Sequence, residues 1–146
     1  MRTLHDPAHR SVLVQRVQAL RPDSARRWDR MSVDQMLWHV NDAIAAAIGE
    51  IAVPPHKPPM PRGLLKFMVL NMPWGKNAPT MPAFVAKKNY DFAAEQARCL
   101  RLIDKMAATD INGEWCAHPM LGKVTGMDMS RLHAKHLDHH LKQFGV

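Results

Sequence analysis

Apolar residues recur at helical intervals in four long stretches of this chain, and no stretch of useful length alternates between apolar and polar residues. This pattern predicts an all-α fold. The four predicted helices run roughly over residues 6–20, 32–50, 91–108 and 125–145. The second predicted helix begins with a capping pattern at Ser32 and the fourth predicted helix with one at Thr125. Gly145 is the C-terminal cap of the fourth predicted helix. With 146 residues and 47% apolar content, we expect a single domain, 1–146, with one core.

The connection between the second and third predicted helices, residues 51–88, holds eight of the eleven prolines. Proline interrupts regular structure, although "RGLLKFMVLNM" within this segment can form a short amphipathic helix. The segment is too apolar for a free linker, so we interpret it as an ordered crossover that forms a wall or lid beside a binding site. A loop that merely joins two distant helix ends is an equal alternative.

The fourth predicted helix carries four histidines within eight residues, at 133, 136, 139 and 140. At about 100° per residue, His136 and His140 lie in the middle of the inward face, with His133 and His139 at its flanks and Gln143 in the same sector. Two neutral imidazoles buried one turn apart need partners out of water, and a divalent metal can take one nitrogen from each. Hydrogen-bonded core histidines or surface histidines are the alternative.

A third ligand has to come from another helix, and His39 in "QMLWHVNDA" is the best candidate. It lies at the edge of the apolar stripe of the second helix, where Ala43 and Ala46 allow the last helix to approach closely. Asp42 is a candidate for orienting His39, and a solvated helix residue is its alternative reading. We expect His133 and His139 to support the site or to lie on the surface. The remaining histidines, His5, His9, His56 and His118, carry no spacing argument.

Two motifs, "MSVDQMLWHVND" and "HLDHHLKQFG", resemble the DinB-like superfamily of four-helix-bundle metalloproteins. With "PWGKNAPTMP" and "HPMLGKVTG" added, the sequence is similar more closely to a bacterial DinB-like family of uncharacterised function. The resemblance implies an up-down-down-up bundle with a long crossover between the second and third helices. It also implies a metal held by His39, His136 and His140. Characterised members of the superfamily include transferases and isomerases that use low-molecular-weight thiols, so the resemblance supports the site better than any one reaction.

Three neutral ligands leave coordination positions open, which is typical of a metal-dependent enzyme that activates water or a thiol. A transferase or hydrolase is therefore expected, with zinc or nickel as the first choices of metal and iron or copper also suitable. Residues 51–90 contain six basic residues and no acid, so Lys57, Arg62, Lys66 and Lys76 are candidates for binding an anionic small-molecule substrate. The alternative is a non-catalytic binding or structural dimer in which the metal only ties helices together.

Other partners are constrained by charge and by apolar surface. A net charge of +7 and an isoelectric point near 9.9 suggest nucleic-acid binding as a function. No helix-turn-helix, zinc-finger or aromatic-platform pattern accompanies that charge, so this function is not favoured. No apolar run reaches the ~20 residues of a membrane span and no signal core follows the N-terminus, so a cytoplasmic protein is expected.

Eleven methionines, together with Trp28 and Trp38 as exposed candidates, favour a homodimer.

Overall fold

The computed structural model describes residues 2–146, which fold into five α-helices and one short 3-10 helix with no β-strand in that range. The α-helices are α1 (Pro7–Ala19), α2 (Val33–Ala47), α3 (Arg62–Asn71), α4 (Phe92–Ala108) and α5 (Gly126–Gln143), and the 3-10 helix is Pro82–Phe84. The predicted all-α fold is confirmed. The four long predicted helices correspond to α1, α2, α4 and α5, and the short helix predicted inside the crossover is α3. None of the helices within residues 2–146 has the length and apolarity to cross a membrane.

The ends of α5, the helix that carries most of the histidines, follow the predicted capping signals. Thr125 Oγ1 accepts a hydrogen bond from Asp128 N at 3.2 Å, which satisfies a free donor of the first turn. After the last turn, Gly145 takes a left-handed conformation with φ of 78°, and its N–H donates to the carbonyl of Lys142. Local sequence therefore sets where α5 begins and ends.

The four long helices pack as a ring in the order α1, α4, α2, α5, because α1 and α2 each contact both α4 and α5. A helical bundle therefore encloses one apolar core. The up-down-down-up direction of the helices stays a prediction. Direct packing of α2 against α5 is the feature that matters for the site, since it brings His39 on α2 beside the histidines of α5.

The proline-rich crossover is ordered and packs against the bundle, which supports its interpretation as a wall. The α3 helix contacts α5, and the Pro82–Phe84 turn contacts α2. Lys135 on α5 donates from Nζ to the carbonyls of Val69 and Met72 at 2.7 and 2.6 Å, which satisfies free acceptors at the C-terminal end of α3. Trp74 Nε1 also donates to the Val69 carbonyl, at 2.8 Å. These bonds fix the crossover over one face of α5.

Trp28 and Trp38, expected to be exposed, are both half-buried. Trp38 stacks on Tyr90 with ring centroids 5.0 Å apart, and Trp28 packs edge-on against His139. The apolar side chains of α3 that do face solvent are Leu64 and Phe67, which are 51% and 59% exposed. The tryptophan argument for a homodimer is thus weakened, and dimerisation stays a prediction.

Gly126, at the start of α5, leaves no room for a side chain. A Cβ there would overlap the carbonyl oxygen of Ile111 and the indole nitrogen of Trp115. We expect Gly126→Ala to lower the free energy of unfolding by about 2–3 kcal/mol, because either the loop or the helix start has to move. The matched control is Gly63→Ala in α3, where a Cβ meets no atom within 4 Å. This control should raise stability by up to about 1 kcal/mol through helix propensity. Urea denaturation measures both, and equal effects would contradict the packing argument.

Candidate metal centre

Three histidines from two helices meet at one point of the α2–α5 interface. His39 from α2 and His136 and His140 from α5 each offer one nitrogen, and these three nitrogens lie within 4.8 Å of one another. The ring centroids form a nearly equilateral triangle, with separations of 4.8, 4.9 and 4.8 Å. Within residues 2–146, no fourth histidine, cysteine, aspartate or glutamate joins this group. The arrangement is a set of three imidazoles that can hold a metal ion.

Two of the three rings are oriented so that Nδ1 carries the ring hydrogen and Nε2 carries a lone pair that points into the cluster. His39 Nδ1 lies 2.8 Å from the carbonyl oxygen of Phe84, which can only accept, so the ring proton is on Nδ1. His140 Nδ1 lies 2.7 Å from Gln143 Oε1, and Gln143 Nε2 in turn donates to the Trp28 carbonyl at 3.0 Å. Neutral imidazoles protonated at Nδ1 present an unprotonated Nε2, which is the form that binds a metal.

The third ring completes the set through a contact between two nitrogens. His136 Nε2 lies 2.9 Å from His39 Nε2. Because the His39 nitrogen carries a lone pair, the hydrogen between them belongs to His136 in the metal-free protein. A bound cation would take the place of that hydrogen and accept both lone pairs. The donor set therefore fits a divalent transition metal, for which imidazole is a suitable ligand.

Burial keeps all three rings neutral. Loss of hydration lowers the pKa of His39 and lowers that of His140 to about 3. The pKa of His136 lies well below its usual value because of burial and, secondarily, the neighbouring rings of His39 and His140. At neutral pH none of the three has to lose a proton from a charged state before it binds a cation.

The three histidines form part of the lining of a pocket of about 570 Å³, a volume within the usual range for small-molecule sites. The ordered crossover supplies much of the wall, including Trp74 and Met68. His136 is the most accessible of the three, whereas His39 and His140 are 5% and 8% exposed. A ligand in the pocket can therefore reach the point where the three rings meet.

Gln143 and His139, both named from the sequence, lie beside the three clustered histidines. Gln143 is buried and bonds to His140 as described above. His139 is half-buried and packs between two tryptophans, with its ring centroid 5.7 Å from those of Trp28 and Trp74. Gln143 thus orients the His140 ring, and His139 forms part of the aromatic rim of the pocket.

Asp42 does not orient His39, and Lys57 does not line the pocket. The Asp42 carboxylate pairs with Arg98 at 2.8 Å, and the Phe84 carbonyl, not Asp42, accepts the hydrogen bond that orients His39. Lys57 is exposed and is not part of the pocket lining, whereas Lys76 is. Closeness in sequence to a site residue therefore does not predict which polar groups contact the site.

His133 is buried at 3% exposure, and neither ring nitrogen has a hydrogen-bond partner. Burial lowers its pKa to about 3, so the ring is neutral. His118, for which no spacing argument exists, lines the same pocket, and its Nδ1 accepts from the N–H groups of Met120 and Leu121 at 3.1 Å each. Both rings also border a small cavity of about 20 Å³, enough for one water. Two backbone hydrogen bonds between His118 and Gly122 hold the motif "HPMLG" in a tight turn. This motif is the sequence feature that could have indicated a role for His118.

Replacing His133 with leucine should stabilise the metal-free protein. A buried polar group without a partner costs about 1–3 kcal/mol, and leucine removes two such atoms while filling similar space. We expect His133→Leu to raise the free energy of unfolding by about 1–2 kcal/mol. His139→Leu, on the half-buried rim of the same helix, should change it by no more than about 0.5 kcal/mol. Thermal unfolding of both variants measures this, and a destabilised His133→Leu would mean that His133 is hydrogen-bonded in solution.

Comparison with known proteins gives one result. Residues 11–145 match the family described as a protein of unknown function, DUF1569. No curated protein and no solved structure matches the sequence. The matched range includes all three histidines of the candidate centre and the whole crossover. The chain therefore belongs to the DUF1569 family.

Proposed function

We propose that this protein is a metal-dependent enzyme in which His39, His136 and His140 hold one divalent ion. The observation that carries the proposal is the convergence of three neutral imidazoles beside a pocket, with no fourth protein ligand among residues 2–146. Catalytic metal sites typically have three protein ligands and an open position, whereas structural zinc sites are closed by four. Zinc or nickel is the proposed metal, and iron also suits three imidazoles.

The reaction that this arrangement supports is a transfer or a hydrolysis. When bound, the ion lowers the pKa of a coordinated water or thiol enough to make it a nucleophile at neutral pH. The chain itself supplies orientation: the Phe84 carbonyl and Gln143 hold two of the ligand rings, and the crossover limits solvent access. The resemblance to the DinB-like superfamily supports a low-molecular-weight thiol as one reactant. Lys76 is the basic side chain of the crossover that can attract an anionic group in the pocket.

A structural role for the ion is the second candidate. The ligands come from two different helices, so an ion would cross-link α2 to α5 and add its binding free energy to the stability of the bundle. The two candidates differ in whether a coordination position is open to solvent.

Cobalt substitution tests the difference directly. The protein is purified without an affinity tag, loaded with one equivalent of Co²⁺ and titrated with azide while the visible absorption spectrum is recorded. An open position predicts a saturable spectral change, because azide becomes a ligand of the ion. An unchanged spectrum on cobalt-loaded protein would favour the structural role and contradict the proposed enzyme. The native metal, identified by elemental analysis, then decides which ion is used in thiol-transfer and hydrolysis assays.

A further inference from the structure

The two sides of the pocket differ in chemistry. The crossover contributes almost only apolar side chains, and Lys76 and Thr80 are its exceptions. Its wall is completed by the loop that holds Met120 and Leu121. Five methionines line the pocket: Met60, Met68, Met72, Met81 and Met120. Apart from Asp29, Lys76 and Thr80, the polar side chains of the lining are Gln143 and six histidines: His39, His118, His133, His136, His139 and His140.

We propose that the substrate is a small molecule with a bulky apolar body and one polar, metal-binding head. This inference rests on the proposed function and names the substrate class for the same site. The head lies at His39, His136 and His140, and the body lies along the methionine-rich wall. A pocket of about 570 Å³ holds a body of many carbon atoms. Methionine side chains are flexible and polarizable, so this wall can adapt to several body shapes.

The charges of the pocket argue against a substrate with several carboxylates. Of the four crossover cations considered for anion binding, only Lys76 lines the pocket. Lys66 is paired with Asp128 at 3.2 Å, and Asp29 brings a negative charge into the same lining as Lys76. Two opposite charges leave the wall close to neutral. An anionic group on the substrate is therefore best placed at the ion itself.

His133 lies close to that head without offering it a polar atom. Its ring lies 6.4 Å from the ring of His136, centroid to centroid, and forms part of the pocket lining, but both ring nitrogens are buried. Recognition of the head is therefore assigned to His39, His136 and His140 alone. The polar head and the apolar body are thus each matched by one side of the pocket.

A chain-length series tests the apolar body. Zinc-loaded protein is titrated calorimetrically with acetohydroxamic acid and with octanohydroxamic acid, which share a metal-binding head and differ by six methylenes. Each fully buried methylene strengthens binding up to about fourfold, so with partial burial we expect the longer probe to bind about 100-fold more tightly. A ratio below about fivefold would overturn the proposal.

Two lysine substitutions on α3 form a matched pair. Met68→Lys places a charge in the pocket wall, whereas Leu64→Lys places one on the exposed side of the same helix. Met68→Lys should keep the zinc content and the affinity for acetohydroxamic acid while reducing the advantage of the longer probe about tenfold or more. Leu64→Lys should leave both affinities unchanged. Equal behaviour of the two variants would contradict the assigned wall.

Failure of the metal site and failure of the apolar pocket give different results. If elemental analysis finds no zinc in the loaded protein, the proposed function fails. The pocket is then tested on the same metal-free protein with N-phenyl-1-naphthylamine, an uncharged fluorophore. We expect saturable fluorescence enhancement that Met68→Lys reduces and Leu64→Lys does not. Absence of enhancement in the unsubstituted protein would overturn the proposal whatever the metal content.

Discussion

Replacing His136 or His140 with alanine should weaken zinc binding at least about 300-fold. Each substitution removes one of three proposed ligands, which corresponds to roughly a third of the 10–16 kcal/mol with which zinc-finger peptides bind zinc. His139→Ala is the matched control, because this half-buried histidine is adjacent to His140 but outside the ligand group. Competition with a chromophoric chelator measures the affinities. Unchanged zinc content in the His136→Ala, His140→Ala double variant would contradict the assignment.

The second large effect is a loss of stability in acid. Burial lowers the pKa values of six histidines that line the pocket: His39, His118, His133, His136, His139 and His140. In the folded metal-free protein the values are about 4 for His118 and about 3 for His133 and His140, whereas an unfolded histidine titrates near 6.5. The unfolded state therefore takes up protons below pH 6.5 that the folded state does not. The stability contributed by the neutral rings is complete above pH 6.5 and is lost as the pH falls toward the folded pKa values.

The expected size of this effect is large. Each such histidine contributes a slope of up to about 1.4 kcal/mol per pH unit, so His118, His133 and His140 together approach about 4 kcal/mol per unit near pH 5. Because domains are stable by about 5–15 kcal/mol, we expect the metal-free protein to lose a large part of its stability by pH 5. Urea denaturation at pH 7.5, 6 and 5 measures the slope. His133→Leu should reduce this slope by the contribution of one histidine, about 1.4 kcal/mol per pH unit. Equal stability at pH 7.5 and pH 5 would show that these rings are not buried as described.

Helical periodicity is sufficient to predict most of the fold and two of the three histidines that meet in the candidate site. The positions of His136 and His140 follow from the 3.6-residue repeat of α5, whose ends are set by Thr125 and Gly145. His39 was harder, because it lies at the edge of the apolar stripe of α2. Only packing of α2 against α5 brings it to the other two rings.

The partners of these ligands could not be predicted, because they depend on contacts between distant parts of the chain. The group that orients His39 is the backbone carbonyl of Phe84, 45 residues away, and a carbonyl has no signature in sequence. Asp42 was the local candidate, but its carboxylate binds Arg98 on α4. His118 lies in an irregular loop, where no repeat indicates which way a side chain points. Likewise, residue type alone does not distinguish Lys76, in the pocket lining, from the exposed Lys57.

A crystal structure of the zinc-loaded protein, with anomalous data collected at the zinc absorption edge, tests the proposed metal site most directly. We expect one strong peak per chain, coordinated by Nε2 of His39, His136 and His140, with at least one coordination position facing the pocket. A zinc ion bound elsewhere, or one closed off by a fourth protein side chain, would contradict the proposed site.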